Sequence, residues 1–251
     1  MSKKIWITGS SSGIGKELAL KFAKEGWQVA ASARRENLLK DLNNQNPNIY
    51  AFPLNVTNEA ETKNIFKNII EKFQTIDISV FCTGIHDPES EKQLSSEKNR
   101  EIMETNFFGT LNCIMAVNTY FREKKSVHIS IVSSVAGYRG LPAASGYCAS
   151  KSALTSLAES LYFDFKRHNV RVSLVSPGFI KTPMTDKNKF PMPMIRSPEF
   201  AAEKMFIGLT KKNAFEIHFP ITFTLMMKLL KIMPNWLYFL LVKKGMKTIK
   251  Y

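Results

Sequence analysis

Nowhere does the sequence hold 18 consecutive apolar residues, so no stretch of it reads as a membrane-spanning helix. Cysteine is scarce, with Cys82, Cys113 and Cys148 among 251 residues and no C-x-x-C spacing between them. That excludes a small disulfide scaffold and a cysteine-built metal centre, and an odd, scattered set is expected of a reduced, cytoplasmic protein. Acidic residues are few, 21 against 35 Lys+Arg, for a net charge of +14. Internal repeats and low-complexity linkers are lacking, and no second domain boundary is evident. The opening residues, Met1-Ser2-Lys3-Lys4-Ile5-Trp6-Ile7-Thr8-Gly9, are basic but too briefly apolar for a signal-peptide core and read as a first strand.

What is present is a large apolar fraction, 44% against 22% charged, enough for a sizeable core and incompatible with disorder. The positive balance suits an anionic cofactor, anionic lipid or nucleic acid. Nucleic acid is not expected, because aromatic and basic residues are not interleaved in any recognisable module. Most of the lysines read as a solvated surface. Six of them, Lys228, Lys231, Lys243, Lys244, Lys247 and Lys250, fall in residues 220–251, which contain no acid.

Short apolar runs alternate with helical-period segments. The runs at 5–8, 27–33, 49–54, 78–82, 127–133, 170–176 and 215–219 read as buried strands, apolar on both faces. Segments 14–25, 36–42, 59–73, 97–123, 145–167 and 198–211 read as amphipathic helices, the last opened by Ser197-Pro198-Glu199. The alternation predicts an α/β fold, a doubly wound parallel sheet of seven strands. Residues 183–198, rich in Pro and Met, stand outside it as a lid or a disordered loop.

Three patterns carry chemistry. Thr8-Gly9-Ser10-Ser11-Ser12-Gly13-Ile14-Gly15 joins the first strand to the first helix, where glycine lets the backbone approach a pyrophosphate and the helix N-terminus offers N–H groups. The second strand ends Ala33-Arg34-Arg35, with Ala33 where a ribose-binding carboxylate would repel a 2′-phosphate and two guanidinium groups after it. Tyr147-Cys148-Ala149-Ser150-Lys151 sets a phenol and an ammonium on one helix face, and Ser134 closes the fifth strand where ligands bind in open α/β sheets.

Asn106, Ser134 and Tyr147-x-x-x-Lys151, in that order, with the glycine turn and Pro177-Gly178-Phe179-Ile180-Lys181-Thr182, resemble the motif set of the short-chain dehydrogenase/reductase family over residues 8–182. The resemblance implies a Rossmann-type fold, a nicotinamide cofactor, no metal, and oxidoreduction of a carbonyl or secondary alcohol, and Arg34 and Arg35 after Ala33 make NADP(H) the cofactor expected. Tyr147 would be the general acid or base. A free phenol near pKa ~10 is poorly matched to neutral pH, and the Lys151 ammonium would lower it and hold the nicotinamide ribose. Ser134 would donate to the carbonyl oxygen. Asn106 would anchor a relay water, and Thr182 with the Ile180 backbone would orient the carboxamide. The cofactor contacts expected are Gly9, Ser11, Ser12, Gly13, Ile14, Gly15, Arg34, Arg35, Asn55, Val56, Cys82, Gly84, Tyr147, Lys151, Pro177, Gly178, Ile180 and Thr182. Asn55 stands for the family's aspartate, and Phe81-Cys82-Thr83-Gly84 for its N-N-A-G, with Cys82 in place of the second asparagine.

The expected layout is a catalytic and NADP-binding domain at 1–220 with its lid at 183–198, and a basic amphipathic helical extension at 221–251. The extension reads either as packing over the cleft or at a subunit interface, or as an anchor on an anionic membrane, which would make the substrate apolar and lipid-like. The family resemblance implies a homodimer or homotetramer. A non-catalytic NADP-binding sensor is the competing reading, and the intact Ser134, Tyr147 and Lys151 argue against it.

Overall fold

The computed structural model describes residues 2–88, 93–124 and 127–246. Its seven strands, β1 (Lys4–Thr8), β2 (Gln28–Ala33), β3 (Ile49–Pro53), β4 (Ile78–Phe81), β5 (His128–Val132), β6 (Arg171–Pro177) and β7 (Glu216–Phe219), form one sheet. The order is β3-β2-β1-β4-β5-β6-β7, and every pairing is parallel. The order reverses between β1 and β4, which opens a crevice beyond their carboxyl ends. This is the doubly wound Rossmann-type sheet that the alternating pattern predicts.

Both sheet faces are covered, and this is why apolar residues point to either side of the strands. Ile5 and Ile7 of β1 face a core built with α1 (Gly13–Lys24), α2 (Glu36–Gln45) and α7 (Pro198–Thr210). Trp6, between them, faces the other core with α3 (Glu59–Phe73), α5 (Gly109–Lys124) and α6 (Ser145–Lys166). Trp6 is wholly buried against Phe66 and Phe81, and its indole N–H donates to Ser32 Oγ at 2.9 Å. Each such side chain contributes about 1.5–3 kcal/mol through removal from water. The α7 start forms as its sequence dictates: the Ser197 hydroxyl accepts from Phe200 N–H, and Pro198 fills the first turn.

The single helix expected over 97–123 is divided. It runs as α4 (Ser96–Met103), one π turn (Glu104–Phe108) and then α5. Asn106 lies in the wide turn with no exposure, and its amide is bonded on both ends. A Cβ on Gly109, the residue closing the turn, would stand 2.6 Å from Val56 Cγ2, so only glycine fits that approach. Hydrophobic period continues unbroken through such a bulge and hides it.

The Pro/Met-rich stretch is a loop pinned at its base. Lys181 N–H donates to Arg196 O (2.8 Å) and Arg196 N–H to Phe179 O (3.0 Å), and a short 3-10 turn covers Thr185–Lys187. Beyond β7 come α8 (Ile221–Ile232) and α9 (Asn235–Met246). Phe223 and Met227 pack on Val135 and Tyr138, in the segment after β5, and on Phe179 after β6. Lys228 reaches Glu216 at 2.5 Å. Arg139 binds the carbonyls of Leu230, Lys231 and Met233 at 2.7–3.0 Å, which satisfies the open end of α8, and its guanidinium lies 4.1 Å from the Tyr238 ring centre. Among the described residues no helix is long and apolar enough to cross a membrane. Of the C-terminal lysines, Lys247 and Lys250 lie outside the described residues.

Candidate active site

A cleft of about 700 Å³ lies at the carboxyl end of the sheet. It gathers the expected residues from strands far apart in the chain: Gly9 and Ser11 to Gly15 after β1, Arg34 and Arg35 after β2, Asn55 and Val56 after β3, Cys82 and Gly84 after β4. Ser134 after β5, Tyr147 and Lys151 on α6, and Pro177, Gly178, Ile180 and Thr182 after β6 complete its wall. Asn106 stands behind the lining.

The glycine turn is built for close approach. Gly9 and Gly13 have φ of 73° and 56°. A Cβ at Gly9 would meet Cys82 O at 2.8 Å, and one at Gly15 would meet Gly9 O at 2.4 Å. The turn leaves the N-terminus of α1 open: Ser12 makes no side-chain cap, and the first turn carries no acid to compete with an anion. Arg35 folds over it, its Nη2 donating to Ser11 Oγ (2.7 Å) and Ser12 Oγ (2.8 Å). Arg34 stands exposed on the rim, and Ala33 beside it leaves no carboxylate in the wall. These N–H, hydroxyl and guanidinium donors can hold the phosphates of a dinucleotide.

At the other end, Lys151 is buried. Its Nζ donates to Val132 O at 3.0 Å and lies 5.6 Å from the Tyr147 ring centre. Burial holds its ammonium down to about 8. Ser134 caps the turn Val135–Gly137 by accepting from Ala136 N–H (3.1 Å), which fixes its hydroxyl in the wall. A Cβ at Gly84 would lie 3.4 Å from Lys151 Nζ and 3.5 Å from Asn106 Oδ1, so Gly84 shares the space around both.

Asn106 Oδ1 accepts from Ile85 N–H (2.7 Å), and its Nδ2 donates to Ile85 O and Ser150 Oγ, both at 3.0 Å. It thus staples the exit of β4 to the Tyr147 helix. Asn55 Oδ1 accepts from the Thr57 hydroxyl at 3.0 Å, so it organises its own turn as well as the wall. Burial raises the Cys82 thiol to about 11, and its N–H donates to Thr8 Oγ1 at 3.2 Å. Cys82 is therefore a neutral wall residue whose backbone does the bonding. The Ile180 carbonyl accepts from Thr185 Oγ1 (2.7 Å), which leaves the contact expected of Ile180 to its N–H.

The cleft also holds residues that the sequence reading missed. His86 stacks on Tyr147, ring centres 4.4 Å apart and 31° between planes. Thr83, Ile85, Thr105, Ser133, Met184, Thr185 and Lys187 also line it. Lys187 on the loop pairs with Asp87 at 3.6 Å. The only hint of His86 in the sequence is its place two residues beyond Gly84.

Fold and site together define a dinucleotide-binding α/β protein of the oxidoreductase class. The chain belongs to the short-chain dehydrogenase family, whose model matches residues 3–191. It is 34% identical over 236 residues to an uncharacterized oxidoreductase of Myxococcus xanthus, covering 92% of this chain and 93% of the relative. It is 31% identical over 223 residues to a 3-oxoacyl-(acyl-carrier-protein) reductase of Thermotoga maritima, covering 83% and 91%. A short-chain dehydrogenase of Burkholderia cenocepacia, solved in complex with NADP, superposes with a TM-score of 0.82 at 24% identity, over 96% of this chain and 97% of that one.

Proposed function

We propose that the protein uses NADP(H) to reduce the carbonyl, or oxidise the secondary alcohol, of an apolar substrate, with Tyr147 as general acid/base. The observation that carries this reading is the buried Lys151 beside the Tyr147 ring, in one cleft with Ser134. A buried ammonium costs stability and is kept where it lowers the cost of another charge. Here that charge is the Tyr147 phenolate formed when its proton passes to the substrate oxygen. Ser134 donates to the same oxygen as charge gathers on it. Asn106 holds the β4 exit and α6 in register and, with Lys151, carries the proton path to solvent.

Bound NADP(H) supplies or takes up the hydride. Arg35 with Ser11 and Ser12, and Arg34 at the rim, support the phosphorylated cofactor through charge and hydrogen-bond geometry. The remaining glycine-turn residues, Asn55, Val56, Cys82 and Gly84 receive the adenosine half, and Lys151, Pro177, Gly178, Ile180 and Thr182 the nicotinamide half. Residues 1–220 then carry the catalytic and cofactor-binding groups, with 183–198 as the lid, and α8 and α9 of the C-terminal extension back the wall that holds Ser134. Met184 and Ile85 in the wall, with Phe179 next to the lining residues Gly178 and Ile180 and edge to face with Phe190 at 6.0 Å, favour an apolar substrate. Exposed Phe108, Met115 and Phe163 on and beside α5 and α6 support pairing of identical chains through those helices, and three free cysteines support a cytoplasmic setting.

A sensor needs only the phosphate end and leaves the buried ammonium unexplained. The test is Tyr147→Phe, assayed by NADPH oxidation against a panel of long-chain ketones. Turnover falls about 10²–10⁴-fold while NADPH affinity stays within about twofold. Retained turnover refutes the mechanism.

A further inference from the structure

α8 is apolar on two faces. Phe223, Met227 and Leu230 point inward. The outward face is a stripe with spacings of four, four and three residues, Ile221, Leu225, Leu229 and Ile232, exposed by 62, 54, 58 and 78%. Trp236 and Phe239 of α9, 70 and 62% exposed, add to it. Of the sixteen large apolar side chains that stand open among the described residues, nine lie between 221 and 241. A helix apolar all round is normally enclosed, so this face is made to be covered.

Charge decides by what. Residues 217–251 contain no Asp or Glu, and Lys231, Lys243 and Lys244 are exposed on the same two helices. Two copies meeting through this face in a symmetric contact would set lysine against lysine with no carboxylate to pair them. An anionic bilayer surface accepts both components. The stripe and Trp236 enter the headgroup–acyl boundary, and the ammonium groups stay among the lipid phosphates.

The inward side of α8 packs on segments that border the cleft, which sets the helix beside its mouth. Thr222 Oγ1 lies 3.4 Å from Met194 Sδ of the loop, and Phe223 stacks 5.4 Å from Phe179, which follows the cleft residue Gly178. We infer that α8 and α9 dock the protein on anionic phospholipid and that the apolar substrate passes from the bilayer into the cleft beside them. The second clause rests on the reductase reading; the first stands without it.

The test uses the full chain and flotation with vesicles of phosphatidylcholine alone or mixed with phosphatidylglycerol. The protein floats with the mixed vesicles and not with phosphatidylcholine. Partition falls about fivefold for Lys243→Gln or Lys244→Gln, and about tenfold or more for Leu229→Gln with Trp236→Gln. All four side chains are exposed, so the fold tolerates the changes. Turnover of a water-soluble ketone without vesicles is unchanged in these variants, while turnover of a long-chain ketone held in mixed vesicles falls about tenfold or more.

Wild-type protein that turns over the soluble ketone but does not float overturns the docking. Flotation with equal turnover of the vesicle-held ketone in wild type and variants overturns the delivery route. Flotation without turnover of any carbonyl overturns the reductase reading and leaves the docking in place. A wild-type dimer that Leu229→Gln converts to monomer in sedimentation velocity, with no flotation, assigns the face to a second copy and overturns the proposal.

Discussion

Replacing Lys151 by Met tests whether the ammonium in the cleft is a burden the fold carries for the site. Lys151 is 4% exposed, and burial brings its ammonium from the ordinary 10.5 down to about 8. At about 1.4 kcal/mol per pH unit, that difference is about 3 kcal/mol of destabilisation when the group is charged. Below pH 8 folded and unfolded chains both hold the proton, and the whole penalty applies. Between pH 8 and 10.5 the folded chain has released it and the unfolded chain has not, so stability climbs with pH. Above 10.5 neither is charged, and the term vanishes. Lys151→Met has no such slope. Urea unfolding of the cofactor-free wild type and variant across pH 7 to 10.5 therefore gives a stability difference that moves by about 3 kcal/mol in favour of the wild type; titrating groups remote from Lys151 cancel in the subtraction, and the neighbouring Cys82 and Tyr147 are held constant by making the comparison in a Cys82→Ala, Tyr147→Phe background. The lost bond to Val132 O offsets the difference equally at each pH at which Lys151 keeps one state. A pH-independent difference refutes the argument, because it means that water reaches Nζ and no penalty exists. The variant is also expected to lose turnover.

Two further substitutions probe the ends of the site. Arg35→Ala removes donors that now rest on Ser11 and Ser12; NADPH affinity drops about 10–100-fold by fluorescence titration and NADH affinity changes less than about twofold, and an equal loss for both would place Arg35 away from the phosphate. Asn106→Ala unpairs the half-buried Ile85 N–H and carbonyl and takes one of the two partners of the Ser150 hydroxyl, which still donates to Tyr147 O, costing about 2 kcal/mol in chemical denaturation; a cost under about 1 kcal/mol would show that this staple does not hold the fold.

The parts of this molecule that could be read from sequence are those in which spacing along the chain is itself the geometry. The glycine turn needs only a strand before it and a helix after it. Tyr147 and Lys151 share a face because four residues make about one helical turn. Ala33 and its arginines end a strand paired with β1, whose own end begins the phosphate turn, so parallel register brings Arg35 to Ser11. What escaped reading depends on approach between distant segments. Nothing near His86 announces that it will lie on Tyr147. The π turn at Asn106 adds a residue to a turn whose apolar rhythm continues unchanged. Arg139, in a chain with many cations, looks like a solvated turn residue until the carbonyls of α8 arrive around it.

That last arrangement bears on how the C-terminal helices should be regarded. Arg139 and Tyr138 belong to the stretch that begins at Ser134, and the other side of the same stretch is clothed by Phe223 and Met227. Cutting the chain after Phe219 would bare Val135 and Tyr138, release Arg139 from three acceptors and take Lys228 from Glu216. The helices are therefore part of the scaffold of the catalytic wall rather than an appendage hung from it. Their outer face can be altered one residue at a time, but the segment cannot be deleted as a unit without disturbing Ser134.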